Sequence, residues 1–175
     1  MNEKEAIDLL IKSGCSKDVI RHCRIVAEYA RKIAARINKC SEKKGGSANI
    51  DIETVFIGGL LHDIGRGKTH GIDHAVVGAA VAIENGLSGK LVNIIERHVG
   101  AGITKEDAIL LGLPARDYLP VTIEEKIVAH ADNLIIGERV GDMEEVVSSL
   151  RKKQLDEKTI RRFIDLDNEI SSMLC

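Results

Sequence analysis

Asp132 stands in a stretch that reads as helix, with Val128 and Ala129 one turn before it and Ile135 and Ile136 one turn after. Residues three and four apart share a helix face, so this carboxylate projects among aliphatic side chains. Such a group must be paired, protonated or bound to a metal. Five other residues share its predicament. His22 lies on the stripe of its segment, four residues before Val26. His62 and Asp63 close an apolar run and follow Gly58, Gly59 and Leu60 at helical spacing. His74 has Val77 and Gly78 on its face, and His98 has Ile94 and Ile95 behind it. Two carboxylates and four imidazoles are hard to satisfy pairwise, whereas one metal centre inside a helical bundle satisfies them together. The competing arrangement is a buried ion pair of Asp132 with His22, the others lying at the surface. Imidazole and carboxylate donors suit Fe, Mn, Zn or Ni.

The rest of the chain reads as helix almost throughout. Residues 3–12 form a short amphipathic helix stopped by Ser13-Gly14. Ser16 caps a long helix to about Ile37, and a polar loop follows over Ser41–Ser47. Asp51 caps the helix that carries Phe56 to Asp63 and ends at Gly65. A loop over 66–72 holds Arg66, Lys68 and His70. Asp73 caps a helix to Asn85-Gly86, Ser88 one to Gly100, and Thr104 a short one to Leu111. Thr122-Ile-Glu-Glu125 has the form of a capping box opening a helix to about Glu138. Two further helices fill 142–152 and 156–174. The periodicity shows no strand, repeat or domain boundary, so the expectation is one all-α domain over 1–175. Its site lies within 16–138, and the last two helices pack outside it.

Composition agrees. The 175 residues are 44% hydrophobic but only 2% aromatic, so the core is aliphatic, as suits packed helices. A net charge of -2 with both signs interspersed gives no footprint for a nucleic-acid polymer. No apolar run approaches the ~20 residues of a membrane span, and the polar start has no signal-peptide form, so a cytoplasmic protein is expected. Cys15, Cys23, Cys40 and Cys175 contain no C-x-x-C pair, and reduced thiols are expected.

The ordered set His22, His62-Asp63 and Asp132 resembles the HD superfamily in its three segments "IRHCRIVAEYARKIA", "GGLLHDIGRGK" and "EEKIVAHADNLI". The doublet continues as Ile-Gly, similar to the His-Asp-Ile-Gly form. The segments "DHAVVGAAVAIENG" and "LVNIIERHVG" resemble the additional histidine elements of two-metal members, and their order is that of the branch hydrolysing dinucleoside polyphosphates. The resemblance implies an all-α HD-domain bundle. It also implies His22, His62, Asp63, His74, His98 and Asp132 as metal ligands, two divalent ions (Fe or Mn favoured, Zn or Ni compatible), and Asp63 bridging them. This branch usually continues its doublet with Tyr-Ala-Lys, where Ile64-Gly65-Arg66 stands here, so the reaction class carries over better than the substrate. The cyclic-dinucleotide phosphodiesterase branch carries His-His-Glu and Gly-Tyr-Pro elements that are absent here, which argues against that substrate.

The implied reaction is cleavage of a phosphoester or phosphoanhydride of a nucleotide or small phosphorylated metabolite by a metal-activated hydroxide. Asp63, Arg66 and Lys68 are the expected catalytic residues, the two cations clamping phosphate oxygens. Two other readings share the ligand pattern: a paired-iron oxygenase, like the HD-fold inositol and phosphonate oxygenases, and a metal- or nucleotide-binding regulator without turnover. His70 is expected to face solvent, and His130, at a boundary position, either to support the metal ligands from behind or to lie at the surface. A homodimer is compatible with the sequence.

Overall fold

The structure is a computed structural model and describes residues 1–46 and 49–175. Its described residues form nine α-helices: α1 Glu3–Lys12, α2 Lys17–Lys43, α3 Ile52–Leu61, α4 His74–Glu84, α5 Gly89–Arg97, α6 Lys105–Leu110, α7 Ile123–Leu134, α8 Met143–Lys152 and α9 Glu157–Met173. A 3₁₀ turn over Ile64–Gly67 follows α3, and a minimal hairpin, β1 Ile135–Ile136 with β2 Arg139–Val140, follows α7.

Capping chemistry sets most starts. Ser16, Asp51 and Thr104 each accept from the backbone N–H three residues on, satisfying a donor the helix leaves open. Thr122 does the same for Glu125, but the capping box is incomplete. The Glu125 carboxylate accepts instead from the Val121 N–H at 2.7 Å and pairs with Arg97 at 3.0 Å. Asp73 and Ser88 occupy cap positions without a side-chain bond to their helices; Asp73 accepts from the Thr69 hydroxyl.

Helix α3 runs against α2 and is buried from Val55 to Leu61. Gly59 allows that approach: a Cβ there would lie 2.7 Å from the Ala27 Cα of α2. One core joins α2, α3, α5 and α7 through Val26, Ile33, Val55, Ile94, Ile127 and Val128. Phe163, Leu166 and Ile170 of α9 and Val146 of α8 complete it. The last two helices thus supply core while contributing none of the six polar residues singled out above.

Four expectations change. Helix α2 extends to Lys43, six residues beyond Ile37, because its apolar stripe continues through buried Cys40. The loop expected over Ser41–Ser47 therefore begins only after Lys43, and Ser47 lies outside the described residues. Helix α7 stops at Leu134; Gly137, at φ +65°, starts a two-residue turn that folds β2 back on β1. Cys40 and Cys175 form a disulfide with Cα atoms 5.6 Å apart, while Cys15 and Cys23 are buried and free. That pair is 135 residues apart in sequence, and only the seating of the C-terminus beside the end of α2 brings it together. The fourth change, at His130, concerns the surroundings of the site.

Candidate metal centre

Six side chains converge from five elements. His22 comes from the first turns of α2, His62 and Asp63 from the end of α3, His74 from the first residue of α4, His98 from the end of α5, and Asp132 from α7. His62, Asp63, His74 and His98 are buried; His22 and Asp132 are partly open. The grouping disposes of the arrangement in which only His22 and Asp132 pair.

Two subgroups are evident. On one side the His22 Nε2 lies 2.9 Å from Asp132 Oδ1, with His62 Nε2 at 3.5 Å from the same oxygen. On the other, Asp63 Oδ1 lies 3.3 Å from His74 Nε2 and 3.5 Å from His98 Nε2. The remaining Asp63 oxygen, Oδ2, lies 3.8 Å from His62 Nε2, so the carboxylate faces both subgroups. Donors held about 2.1 Å from one ion lie about 3 to 3.5 Å from each other, which is the spacing seen here.

Backbone geometry decides which ring nitrogens face inward. The Nδ1 atoms of His62, His74 and His98 sit 2.7, 2.8 and 2.7 Å from the carbonyls of Gly59, Gly71 and Ile95. A carbonyl only accepts, so each Nδ1 carries its proton and donates. In the neutral ring the Nε2 is then a bare lone pair aimed at the cluster, the tautomer that metal-ligating histidines need. The His62 Nε2 is fully buried and has no hydrogen-bond partner. A divalent cation would satisfy the unpartnered His62 Nε2 and the two Nε2 atoms of His74 and His98 that face each other, so the residues present fit a metal.

The electrostatics point the same way. Burial alone would raise the Asp132 pKa, but His62 and His22 hold it well below the usual carboxylate range. Asp63 is also held far down, burial being outweighed by His62 and then by His98. Burial, then the neighbouring His98, lowers His74 to about 4, so its ring is neutral at physiological pH. For His62, burial is overcome by Cys23, Asp63 and Asp132, and its pKa rises well above the ordinary value. A buried point that strongly favours positive charge suits a metal ion as it does a proton.

The centre opens into a cavity of about 380 Å³ lined by His22, Asp63, Arg66, His74, His98 and Asp132, with Val99 and Gly100 at one edge. Arg66 reaches it: its Nε donates to Asp63 Oδ1 at 3.2 Å and its Nη1 to the His70 carbonyl at 2.9 Å. Lys68 is exposed and does not line the cavity, so the structure does not gather it with the rest. His70 faces solvent as expected. His130 does not sit at the surface: it is 3% exposed, with Nδ1 3.8 Å from Asp167 of α9. Helix α9 covers the face of α7 that the sequence left open. The sequence reading also missed Val99 and Gly100, which follow His98 directly, and the three carbonyls that orient the rings, which leave no side-chain signature.

The family model of the HD domain matches residues 19–136, and the chain belongs to that family. An uncharacterized protein of Methanocaldococcus jannaschii is 49% identical over 175 residues, covering 99% of both chains. A tRNA (cytidine(56)-2'-O)-methyltransferase of Thermoplasma volcanium is 44% identical over 91% of this chain, which spans only 44% of that protein. A ribonuclease Y of Thermosipho melanesiensis is 30% identical over 82% of this chain and 24% of its own length. Among solved structures, the HD domain of the Listeria monocytogenes phosphodiesterase PgpH aligns over 98% of both chains with a TM-score of 0.51 and 16% identity. The same domain in complex with cyclic-di-AMP aligns with a TM-score of 0.53 and 15% identity. These last two establish the HD fold. No helix among the described residues is long and apolar enough to cross a membrane.

Proposed function

We propose that this chain is, as one HD domain over its full length, a metal-dependent phosphohydrolase. It cleaves a phosphoester or phosphoanhydride of a nucleotide or small phosphorylated metabolite. The observation that carries this reading is the set of three Nε2 atoms, turned inward by Nδ1–carbonyl bonds, around two carboxylates held ionised. His22, His62 and Asp132 would hold one divalent ion, and Asp63 and His98, with His62 within reach and His74 beside them, would hold a second. Ions at such a centre supply Lewis acidity toward a phosphoryl oxygen and bring the pKa of a coordinated water to about 7. The protein's part is positional. Buried imidazoles fix the donors, Asp63 joins the two subgroups, and Arg66 at the cavity wall is placed to orient a phosphate oxygen.

The names of the relatives widen the substrate range to be tested to RNA fragments and cyclic dinucleotides. The Thermoplasma name is not carried over, since the chain matches under half of that protein and a cage of imidazoles and carboxylates is suited to holding cations, not to methyl transfer. The experiment is metal analysis of the purified protein joined to phosphate and nucleotide release across nucleotides, dinucleoside polyphosphates, cyclic dinucleotides, short oligoribonucleotides and small phosphoesters. Divalent-dependent release that chelator removes is expected. Bound iron with oxygen consumption and no phosphate release would replace this reading with the paired-iron oxygenase; bound metal with no turnover would leave the regulator.

A further inference from the structure

A second cavity, of about 420 Å³, adjoins the metal centre. The two share Val99 and Gly100, the residues directly after His98. Gly100 is the second residue after His98, so their Cα atoms are at most about 7.6 Å apart. The volume falls within the roughly 300–1,000 Å³ of small-molecule sites. The walls contrast with those of the metal centre. Val99, Ala101, Ile103, Leu110, Leu111 and Phe163 make them apolar, and the Phe163 ring packs directly on Gly100.

The charges present weigh against a second phosphate as occupant. Arg162 is the cavity's one lining cation, and it already donates to Asp107 Oδ2 at 2.8 Å and to the Thr159 hydroxyl at 3.0 Å. Asp156 adds a further negative charge to the lining. An anion there would meet the carboxylates of Asp107 and Asp156 and a guanidinium already paired with Asp107, whose buried Nε alone is left without a partner and can serve a neutral carbonyl or ring nitrogen. A neutral ring with an N–H or amino group fits instead, its faces against the aliphatic wall and Phe163. Asp107, which gives one oxygen to Arg162, keeps the other to accept from that group. Of the aromatic residues in the sequence, Phe163 is the one that lines this cavity.

We propose that this cavity, between loop 99–103, α6 and the start of α9, is the subsite for the nucleobase of a nucleotide whose phosphoryl group occupies the metal centre. The inference rests on the phosphohydrolase reading for the phosphoryl half and on the shared Val99-Gly100 wall for the link between the halves. It makes the substrate a nucleotide and sets base binding apart from the chemistry.

The test has a binding arm and a turnover arm. In the first, the Zn²⁺-loaded, methyl-labelled protein is titrated with adenosine, guanosine, cytidine and uridine and with their 5'-monophosphates. Shifts of the Ala101, Ile103 and Leu111 methyls are expected for at least one base, and loss of the Ala101 and Ile103 shifts in Leu111→Arg. The Leu111 side chain is half exposed, so the charge is tolerated by the fold. In the second arm, kcat/KM for the monophosphates is compared with that for base-free ribose 5-phosphate. Leu111→Arg is expected to lower that ratio about tenfold, through KM and not kcat, and Leu111→Met to preserve it. Base-dependent shifts without hydrolysis would keep the subsite and sink the hydrolase reading. Hydrolysis with equal efficiency on ribose 5-phosphate, no methyl shifts and an unchanged ratio in Leu111→Arg would do the reverse. If no nucleoside or nucleotide moves these methyls, the subsite is wrong whatever the turnover shows.

Discussion

The Nε2 atoms of His74 and His98 lie 3.1 Å apart, although each ring spends its Nδ1 proton on a backbone carbonyl. With both rings neutral, two lone pairs face one another at hydrogen-bond distance with no proton between them. The contact is repulsive until a proton or a metal ion enters it, and Asp63 Oδ1 stands 3.3 and 3.5 Å away to complete the third corner. Proton entry is disfavoured at His74, whose pKa burial and His98 lower to about 4.

His74→Ala should therefore cost one metal of two. It removes one corner of the Asp63–His74–His98 triangle and leaves His22, His62 and Asp132 intact. His22→Ala should lower occupancy at the other subgroup, where its Nε2 sits 2.9 Å from Asp132. Metal stoichiometry by mass spectrometry reads both, with turnover alongside. Two tightly held ions in His74→Ala would show a differently built site.

Asp63→Asn tests the shared carboxylate. The change keeps volume but removes the charge facing three imidazoles and Arg66. Residues that merely support a ligand typically cost about 10–100-fold when removed, so loss of this one should cost about 100-fold or more in turnover. Circular dichroism should remain helical. Full metal content with normal turnover would refute the bridging role.

Much of this candidate site was legible because burial of charge is a strong constraint: Asp132 one turn after buried Val128 and Ala129 demanded partners, and five residues elsewhere demanded the same, although Ile135 and Ile136 lie beyond the end of α7 and do not share its face. Helix starts at Ser16, Asp51 and Thr104 were legible because capping is local. What the sequence concealed was set by distant chain. The Cys40–Cys175 pairing, the burial of His130 under α9 and the exclusion of Lys68 depend on which surface meets which. Glu125 shows the boundary within one motif: its N–H does cap on Thr122, but its carboxylate is drawn to Arg97 and Val121.

The Asp51 cap gives a pH-dependent stability. Its carboxylate accepts from the Thr54 N–H at 3.0 Å and the Thr54 hydroxyl at 2.7 Å, and the Thr54 hydroxyl bond is the first cause of its lowered pKa. A folded-state pKa below the unfolded one means stabilisation that is complete above about pH 4 and lost as pH falls through the folded value. Asp51→Ala should cost about 1 kcal/mol at pH 7, and the difference from wild type should shrink below about pH 4. Urea melts of both proteins at the two pH values check this; an equal gap at pH 7 and pH 3 would contradict it.

Gly65 tests how the doublet is coupled to the second metal subgroup. The 3₁₀ turn after Asp63 crosses the start of α4 so closely that a Cβ on Gly65 would lie 1.9 Å from the His74 carbonyl oxygen and 2.7 Å from the Gly78 nitrogen. Both neighbours are backbone, so no rotamer change relieves the clash, and the turn and helix must separate. His74 begins α4 and would move with it, away from Asp63 Oδ1. His62 and Asp132 hold their positions through α3 and α7, which pack on α2 and are not touched by the change. Gly65→Ala should thus destabilise the fold by about 3 kcal/mol, at the upper end of ordinary overpacking because rigid backbone is displaced. It should also weaken binding of the second ion more than the first. Thermal melts with and without Mn²⁺, together with metal titration, separate the two effects. A variant with wild-type stability and two equally tight ions would show that the 3₁₀ turn and α4 do not depend on this close crossing to place His74.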